Sequence, residues 1–513
     1  MSKNTGSEDL SGRTRLMRNT IVSWVSHFAL VVSGFVMPRL MSETIGQEAL
    51  GIWDFCWSFV NYLNLMGMGM GSSANKYVAE YRSVGRVEEL SKLTSTVFCA
   101  QTVMASLVLI GSIAVAYTMP YFFGERLGSY LESAQLVVLF LGSSLALQIW
   151  FGISRGVMTG FHRWDLHNII HAGDSLLSMI LMILVLLIGG GLSELALVYL
   201  VSTVIFETIR FRVAFAVGGR FKLGVAGFSK KILATLLAFG GKSVMINIPP
   251  LILTQTVNVI VLGILGPAAL AIFARPLALI RHLTTLVNKF TMMLTPTVGS
   301  LSSMGETDAL SEFTLQTTKF SFAVTIPVIC FFIIFGGVLI EVWMGPSYVD
   351  TELMITLSLG YVLVISQNSL VKILMGIDRH GAASAYVGLI VAFVFGMCFY
   401  YFEEKNWSLA DAAILLTLPL SVAFGMFLPV YTCRILDISL LRYLKSSVFV
   451  PVLCNIPFIF LVLCALVAHS SYPFLAFCLL LLSVCVLLLV YYIFLLPETV
   501  KLSIKRYVVK KRK

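Results

Sequence analysis

The sequence predicts an all-α, polytopic membrane protein with about fourteen transmembrane helices. Three observations carry this prediction. First, the 513 residues are 58% hydrophobic and 12% charged, with a mean hydropathy of +0.91, whereas soluble domains carry about 25% charged residues. Second, apolar residues gather in runs such as Leu136–Leu147 and Leu475–Leu496, and a spanning helix needs roughly 20 mostly apolar residues. Third, Lys and Arg collect in alternate loops, as they do on the cytoplasmic side of membrane proteins. A water-soluble enzyme of this size is excluded.

Taken in order, the apolar runs place spans at roughly 20–41, 50–72, 95–118, 134–158, 168–189, 193–215 and 235–264. The remaining seven fall at roughly 268–296, 316–340, 353–376, 382–402, 409–432, 447–468 and 473–496. Arg13, Arg15 and Arg18 precede the first span. Lys76, Arg82, Arg86 and Lys92 follow the second, and Arg163 follows the fourth. Arg210 and Arg212 fall in the last part of the sixth, and Arg220, Lys222, Lys230 and Lys231 follow it. On the same side fall Lys319, Arg379, Arg434, Arg442, Lys445 and the tail from Lys501 to Lys513. The opposite side holds only Arg39, Arg126 and Lys405. Both termini are therefore expected in the cytoplasm. The chain is polar through Asn19 and its first apolar run is long enough to remain a span, so no cleaved signal peptide is expected.

The sequence also repeats itself. A shift of 220 places Ile45-Gly46-Gln47-Glu48-Ala49-Leu50-Gly51-Ile52-Trp53 on Leu265-Gly266-Pro267-Ala268-Ala269-Leu270-Ala271-Ile272-Phe273. The same shift places Ser83, Gly85, Leu90, Ser91 and Thr94 on Ser303, Gly305, Leu310, Ser311 and Thr314. A shift of 216 places Gly160-Phe161-His162-Arg163 on Gly376-Ile377-Asp378-Arg379. Spans one to six thus correspond to spans seven to twelve. Six is even, so the repeat is parallel, with a pseudo-two-fold along the membrane normal and a substrate site expected between halves. The predicted organisation is a six-span lobe over 1–217, a cytoplasmic linker over 218–233 and a second six-span lobe over 234–440. Two added spans follow over 441–496, then a basic cytoplasmic tail over 497–513. Gly218-Gly219 and the amphipathic stretch Phe228–Leu237 suggest a linker lying on the inner membrane surface.

Ionisable groups at membrane depth are costly and mark candidate function. Span eight carries Arg275, Arg281, His282 and Lys289. Spacings of seven keep Arg275, His282 and Lys289 within about 40° on a helix. Span seven adds Lys242, Asn247, Gln255 and Asn258, and Pro249-Pro250 is expected to interrupt it. This set reads as a cationic cavity for an anionic substrate, with guanidinium groups suited to gripping phosphate by two hydrogen bonds. Snorkelling to lipid headgroups is the competing reading. Span two carries Asp54, Asn61 and Asn64. In the repeat register Asp54 falls on Ala274, beside Arg275, so an Asp54–Arg275 pair is expected as an outer gate, the alternative being that Asp54 satisfies a local hydroxyl or amide. His167, His171 and Asp174 share one face of span five as a proton relay or a structural polar seam. Glu207 and Arg210, three apart in span six, are expected to pair. Asp411 is a candidate for an ion site near the outer edge.

Other classes find little support. Net charge is +10, but the basic loops explain it without nucleic acid. The nine Cys lie mostly in apolar runs without a C-x-x-C, so no disulfide framework or metal site is expected. Gly241-Lys242-Ser243 mimics the end of a phosphate-binding loop, but Leu236 replaces its first glycine, so no ATP is expected. No G-x-S-x-G or HExxH occurs. The chain is read as a non-enzyme without cofactor.

The pattern resembles the polysaccharide-transport branch of the multidrug/oligosaccharidyl-lipid/polysaccharide (MOP) exporter superfamily, the O-antigen and exopolysaccharide flippases. Ile45-Gly46 through Gly51-Ile52-Trp53 carry the resemblance, with Gly67–Gly71 leading to Lys76-Tyr77-Val78-Ala79. Ala274-Arg275-Pro276 through Thr295-Pro296 and the run Leu339–Tyr348 add to it. The resemblance implies two six-helix lobes with spans one, two, seven and eight lining a central cavity, alternating access, and a polyprenyl-pyrophosphate-linked oligosaccharide as substrate. It implies a monomer in the inner membrane, in contact with membrane lipids, with other polysaccharide-assembly proteins as candidate partners. Lipid II flippases of the superfamily use an extra helix pair as a groove for the lipid tail, a role open to spans thirteen and fourteen. Span one departs from the pattern: between Asn19 and Pro38 it has His27 but no Arg, Lys or acid. That argues against lipid II and removes the aspartate often used by drug exporters. The alternatives are a cation-coupled exporter of small drugs, whose cavity should be neutral or acidic, and a membrane glycosyltransferase, ligase or polymerase, against which the short outer loops argue. A non-transporting scaffold would not need buried arginines.

Overall fold

A computed structural model describes residues 16–218, 223–291, 294–402 and 406–496, together with 498 and 501. Helices and short turns make up these residues, without a strand among them. Twelve helical stretches are long and apolar enough to cross a membrane. One of them, Val87–Trp150, contains two helices, and the second and third helices of the chain supply a further element, in agreement with about fourteen spans. The helices group into two compact units, divided between Ala271 and Ile272.

The first unit begins with α1 (Leu16–Ile45), α2 (Gln47–Asn64), α3 (Met70–Ser83), α4 (Val87–Leu127), α5 (Leu131–Trp150) and α6 (Gly152–Gly160). It continues with α7 (Trp164–Leu187), α8 (Leu192–Gly218), α9 (Lys230–Val244) and α10 (Ile248–Leu265). Helix α11 (Pro267–Thr291) starts in this unit and continues past the division. Small residues let backbones approach closely where lipid offers no hydrophobic drive between helices. Gly51 shows this best: a Cβ there would lie 1.8 Å from the carbonyl oxygen of Pro267. Polar side chains tie α2 to α10. Tyr62 Oη lies 2.6 Å from Thr256 Oγ1, and Asn258 Nδ2 donates to Ser58 Oγ at 3.1 Å. Pro249 and Pro250 sit in the first turn of α10, where proline's missing N–H costs nothing. The chain therefore breaks between α9 and α10 through a short 3-10 turn, Met245–Asn247, instead of bending within one helix.

In the second unit the chain continues through α12 (Leu294–Ser303), α13 (Thr307–Met344), α14 (Thr351–Ser366), α15 (Asn368–Gly376) and α16 (His380–Phe402). Then come α17 (Leu409–Leu420), α18 (Leu428–Ile435), α19 (Leu440–Tyr443), α20 (Val450–His469) and α21 (Pro473–Val490). The stretch Ser421–Phe427 is a π-helix. Pro429 has no N–H for the carbonyl of Gly425, four residues back. Gln367 Nε2 donates to that oxygen at 2.9 Å instead, and Tyr443 Oη donates to Gln367 Oε1 at 3.0 Å. Asp411 forms a capping box with Ser408 at the start of α17, so its carboxylate serves the helix end.

The terminal helix pair rests on α13. Phe335 packs with Phe458, Val462, Ala465 and Ala476. Tyr491 Oη lies 2.6 Å from the Ala323 carbonyl oxygen and 3.0 Å from Asn455 Oδ1. Tyr491→Phe is expected to cost about 1 kcal/mol, read as a lower thermal midpoint of the purified protein. An unchanged midpoint would mean that apolar packing alone holds the pair.

The sequence repeat reappears as backbone conformation. Gly46 has φ 95° and Gly266 φ 92°, while Gly85 and Gly305 have φ 69° and 73°. His162 and Asp378 match at 55° and 56°, a left-handed region that few residues other than glycine enter. Packing repeats too. A Cβ on Gly160 would meet Val78 Cγ1 at 2.5 Å, and a Cβ on Gly376 would meet Val298 Cγ1 at 2.5 Å.

Candidate functional site

Helix α11 carries all four cations assigned to span eight. Pro267 opens the helix, and Pro276 lies inside it without ending it. Arg275 is buried, with 4% of its surface exposed. Arg281 is exposed, and His282 and Lys289 are half-buried. Asp54, Asn61 and Asn64 all lie on α2 and are half-buried. Asn64 ends that helix, where a 3-10 turn over Leu65–Gly67 follows. Arg275 belongs to the second unit and Asp54 to the first. Lys242 lies on α9, with its side chain outside the described residues. Gln255 and Asn258 are buried on α10.

A second polar cluster lies wholly within the first unit. A cavity of about 300 Å³ is lined by Arg155 from α6, by His167, His171 and Asp174 from α7, and by Tyr199, Glu207 and Arg210 from α8. Leu30 and Ser33 of α1, Gln148 of α5 and Ser178 of α7 also line it. Glu207 and Arg210 form the expected ion pair, and both are almost fully buried. Asp174 Oδ1 accepts from Ser202 Oγ at 2.8 Å. The two imidazoles stack at 6.3 Å with an interplanar angle of 9°. Four buried polar atoms around this space lack a hydrogen-bond partner among the described residues: His167 Nδ1, Ser178 Oγ, Glu207 Oε2 and Arg210 Nε. Buried polar atoms without partners are rare and call for an explanation.

The sequence reading found the parts of this cluster but not their union, and it missed Arg155. The signal existed, because Arg155 is an ionisable residue inside the predicted fourth span. What brings it to the histidines is the folding of α6, α7 and α8 against one another. No group of His, Cys, Asp and Glu among the described residues has the arrangement of a metal site.

Fold and site together define a multi-pass helical membrane protein of the MOP transporter fold. The lipid II flippase MurJ, in an inward closed conformation, superposes with a TM-score of 0.69 at 15% identity, covering 93% of this chain and 98% of that one. A multidrug resistance MATE family transporter of the MOP superfamily, inward-facing, gives a TM-score of 0.62 at 15% identity, covering 82% and 99%. A MOP superfamily transporter from Pyrococcus furiosus Vc1 (DSM3638), described as having a binding pocket of reverse polarity, gives 0.60 at 16% identity, covering 85% and 99%. At such identities the shared property is the fold. The profile of the polysaccharide biosynthesis protein family matches residues 36–352, and the chain belongs to that family. No curated protein matches the sequence. The family and the fold agree with the resemblance read from the sequence.

Proposed function

We propose that the protein is a flippase that moves a polyprenyl-pyrophosphate-linked oligosaccharide from the cytoplasmic to the outer leaflet by alternating access, for cell-surface polysaccharide biosynthesis. The observation that carries this reading is the match to the polysaccharide biosynthesis family over residues 36–352, which includes the cationic helix α11. The pyrophosphate is the part of such a substrate that needs cations. Arg275, Arg281, His282 and Lys289 on α11, with Lys242, would supply them, and Arg offers the two-point grip that phosphate accepts. Asn61 and Asn64 on α2 would meet sugar hydroxyls, and the lipid tail would stay in the bilayer. Asp54 and Arg275 would pair as the gate. The basic loops support an inner-membrane location with both termini in the cytoplasm. The activity is transport without bond chemistry, and nothing in the reading calls for ATP or a cofactor.

Deleting the gene in its host tests the reading. The expected result is accumulation of cytoplasm-facing lipid-linked glycan together with loss of surface polysaccharide. Normal glycolipid with raised drug sensitivity would instead place the protein with the drug exporters.

A further inference from the structure

We propose that the cavity of the first unit binds one uncharged sugar ring, a neutral hexopyranose, through Arg155, His167, His171, Asp174, Glu207 and Arg210. The fold itself does not ask for these polar groups. In the repeat, α6, α7 and α8 correspond to α15, α16 and the helical stretch that begins with α17. Aligning the helix starts places Arg155 on Val371, His167 on Ala383, His171 on Val387 and Asp174 on Ile390. It places Tyr199 on Leu416, Glu207 on Phe424 and Arg210 on Phe427. The second unit thus builds the corresponding helices with apolar residues at each of these positions. Ionisable groups at membrane depth are costly, and a guest that uses them offsets that cost.

The unpartnered atoms and the charges define the guest. Glu207 Oε2 requires a donor and Arg210 Nε an acceptor, while His167 Nδ1 and Ser178 Oγ take either. A hydroxyl fills both roles. Two guanidinium groups and two carboxylates line the cavity, and their formal charges cancel. A cation would meet the guanidinium groups and an anion the carboxylates, whereas an uncharged polyol meets neither obstacle. Each imidazole, neutral beside two guanidinium groups, adds one donor and one acceptor. Neighbouring hydroxyls of a pyranose suit Arg155, which is exposed on the cavity wall. They also suit Asp174, which accepts from Ser202 through one of its two oxygens. Leu30, Met179 and Met182 line the same space and match the apolar C–H face of the ring. A volume of about 300 Å³ is at the lower end of ligand cavities, the size for one ring and not for an oligosaccharide. Water meets the same polar demands, and sugar hydroxyls displace it while reproducing its hydrogen bonds. Assigning this ring to the transported glycan rests on the flippase reading. The binding does not.

Saturation-transfer NMR on the purified full-length protein, in lipid nanodiscs washed free of glycoside detergent, tests the binding. The probes are D-glucose, D-galactose, D-mannose and N-acetyl-D-glucosamine, with D-glucuronate and D-glucosamine as charged counterparts. At least one neutral sugar is expected to bind with a dissociation constant on the order of 1 mM. The charged sugars are expected to bind roughly tenfold more weakly or not at all. Arg155→Met removes a charged hydrogen-bond donor and is expected to weaken the neutral sugar roughly tenfold. Ser178→Leu fills the cavity without changing a charge and is expected to abolish binding. It decides the question if Arg155→Met does not elute as a single species. Silence of all four neutral sugars overturns the proposal. So does equal binding by wild type and Ser178→Leu, or binding of the charged sugars as tight as that of the neutral ones. No lipid-linked substrate is present, so failure here leaves the flippase reading standing, and the deletion phenotype tests that reading by itself.

Discussion

Replacing Arg275 with glutamate is expected to cut delivery of surface polysaccharide roughly 100-fold, with the protein still folded and in the membrane. Arg275 is buried on α11 at 4% exposure. In the proposed role its guanidinium grips the pyrophosphate through charge-assisted hydrogen bonds, each worth about 1.5–3 kcal/mol. Glutamate removes those bonds and adds repulsion. Arg275→Lys keeps the charge but loses the planar fork, and is expected to retain more activity than the glutamate variant. The measurement is surface glycan in complemented deletion cells, normalised to folded protein. Full polysaccharide with Arg275→Glu would remove the residue from substrate binding. The charge swap D54R/R275D asks a separate question. Restored transport would support the proposed gate pair, and no rescue would count against it.

The largest effect on folding is expected from Gly51→Ala. The added Cβ would lie 1.8 Å from the Pro267 carbonyl oxygen and 2.6 Å from its carbonyl carbon. These are backbone atoms of the first turn of α11 and cannot rotate away, so α2 must shift. Overpacking costs typically 1–3 kcal/mol, and a backbone obstacle places this change at about 3 kcal/mol or more. The expected result is a lower thermal midpoint and a lower folded yield. Gly124→Ala is the control, because its Cβ meets nothing within 4 Å and alanine favours a helix. Equal midpoints for the two variants would contradict the close approach of α2 to Pro267.

Much of the fold is legible in the sequence because a bilayer imposes simple rules. Apolar runs of fixed length mark spans, and helices alone among open structures satisfy their backbone in lipid. The repeat is legible because positions such as Gly46 and Gly266 must adopt positive φ, which restricts the residues allowed there. Details that depend on neighbours are not legible. Pro429 marks a lost hydrogen bond, but only the fold shows that Gln367 repays it from 58 residues away. Asp411 reads as a candidate ion-site acid near the outer edge, and only the fold shows the capping box it shares with Ser408. The site divides in the same way. The cations of α11 are legible because one helix carries them at a regular spacing. The cavity around His167 and His171 is not, because Arg155, Asp174 and Glu207 lie on three different helices.

The central claim is flipping of a lipid-linked glycan, and reconstitution tests it most directly. The purified full chain is placed in liposomes loaded with a polyprenyl-pyrophosphate oligosaccharide from the host. Accessibility of the sugar to a membrane-impermeant glycosidase or lectin is then followed over time. The account predicts that the inaccessible half becomes accessible with wild type and remains protected with Arg275→Glu. Continued protection in liposomes containing folded wild type, under imposed proton or sodium gradients of either direction, would contradict it.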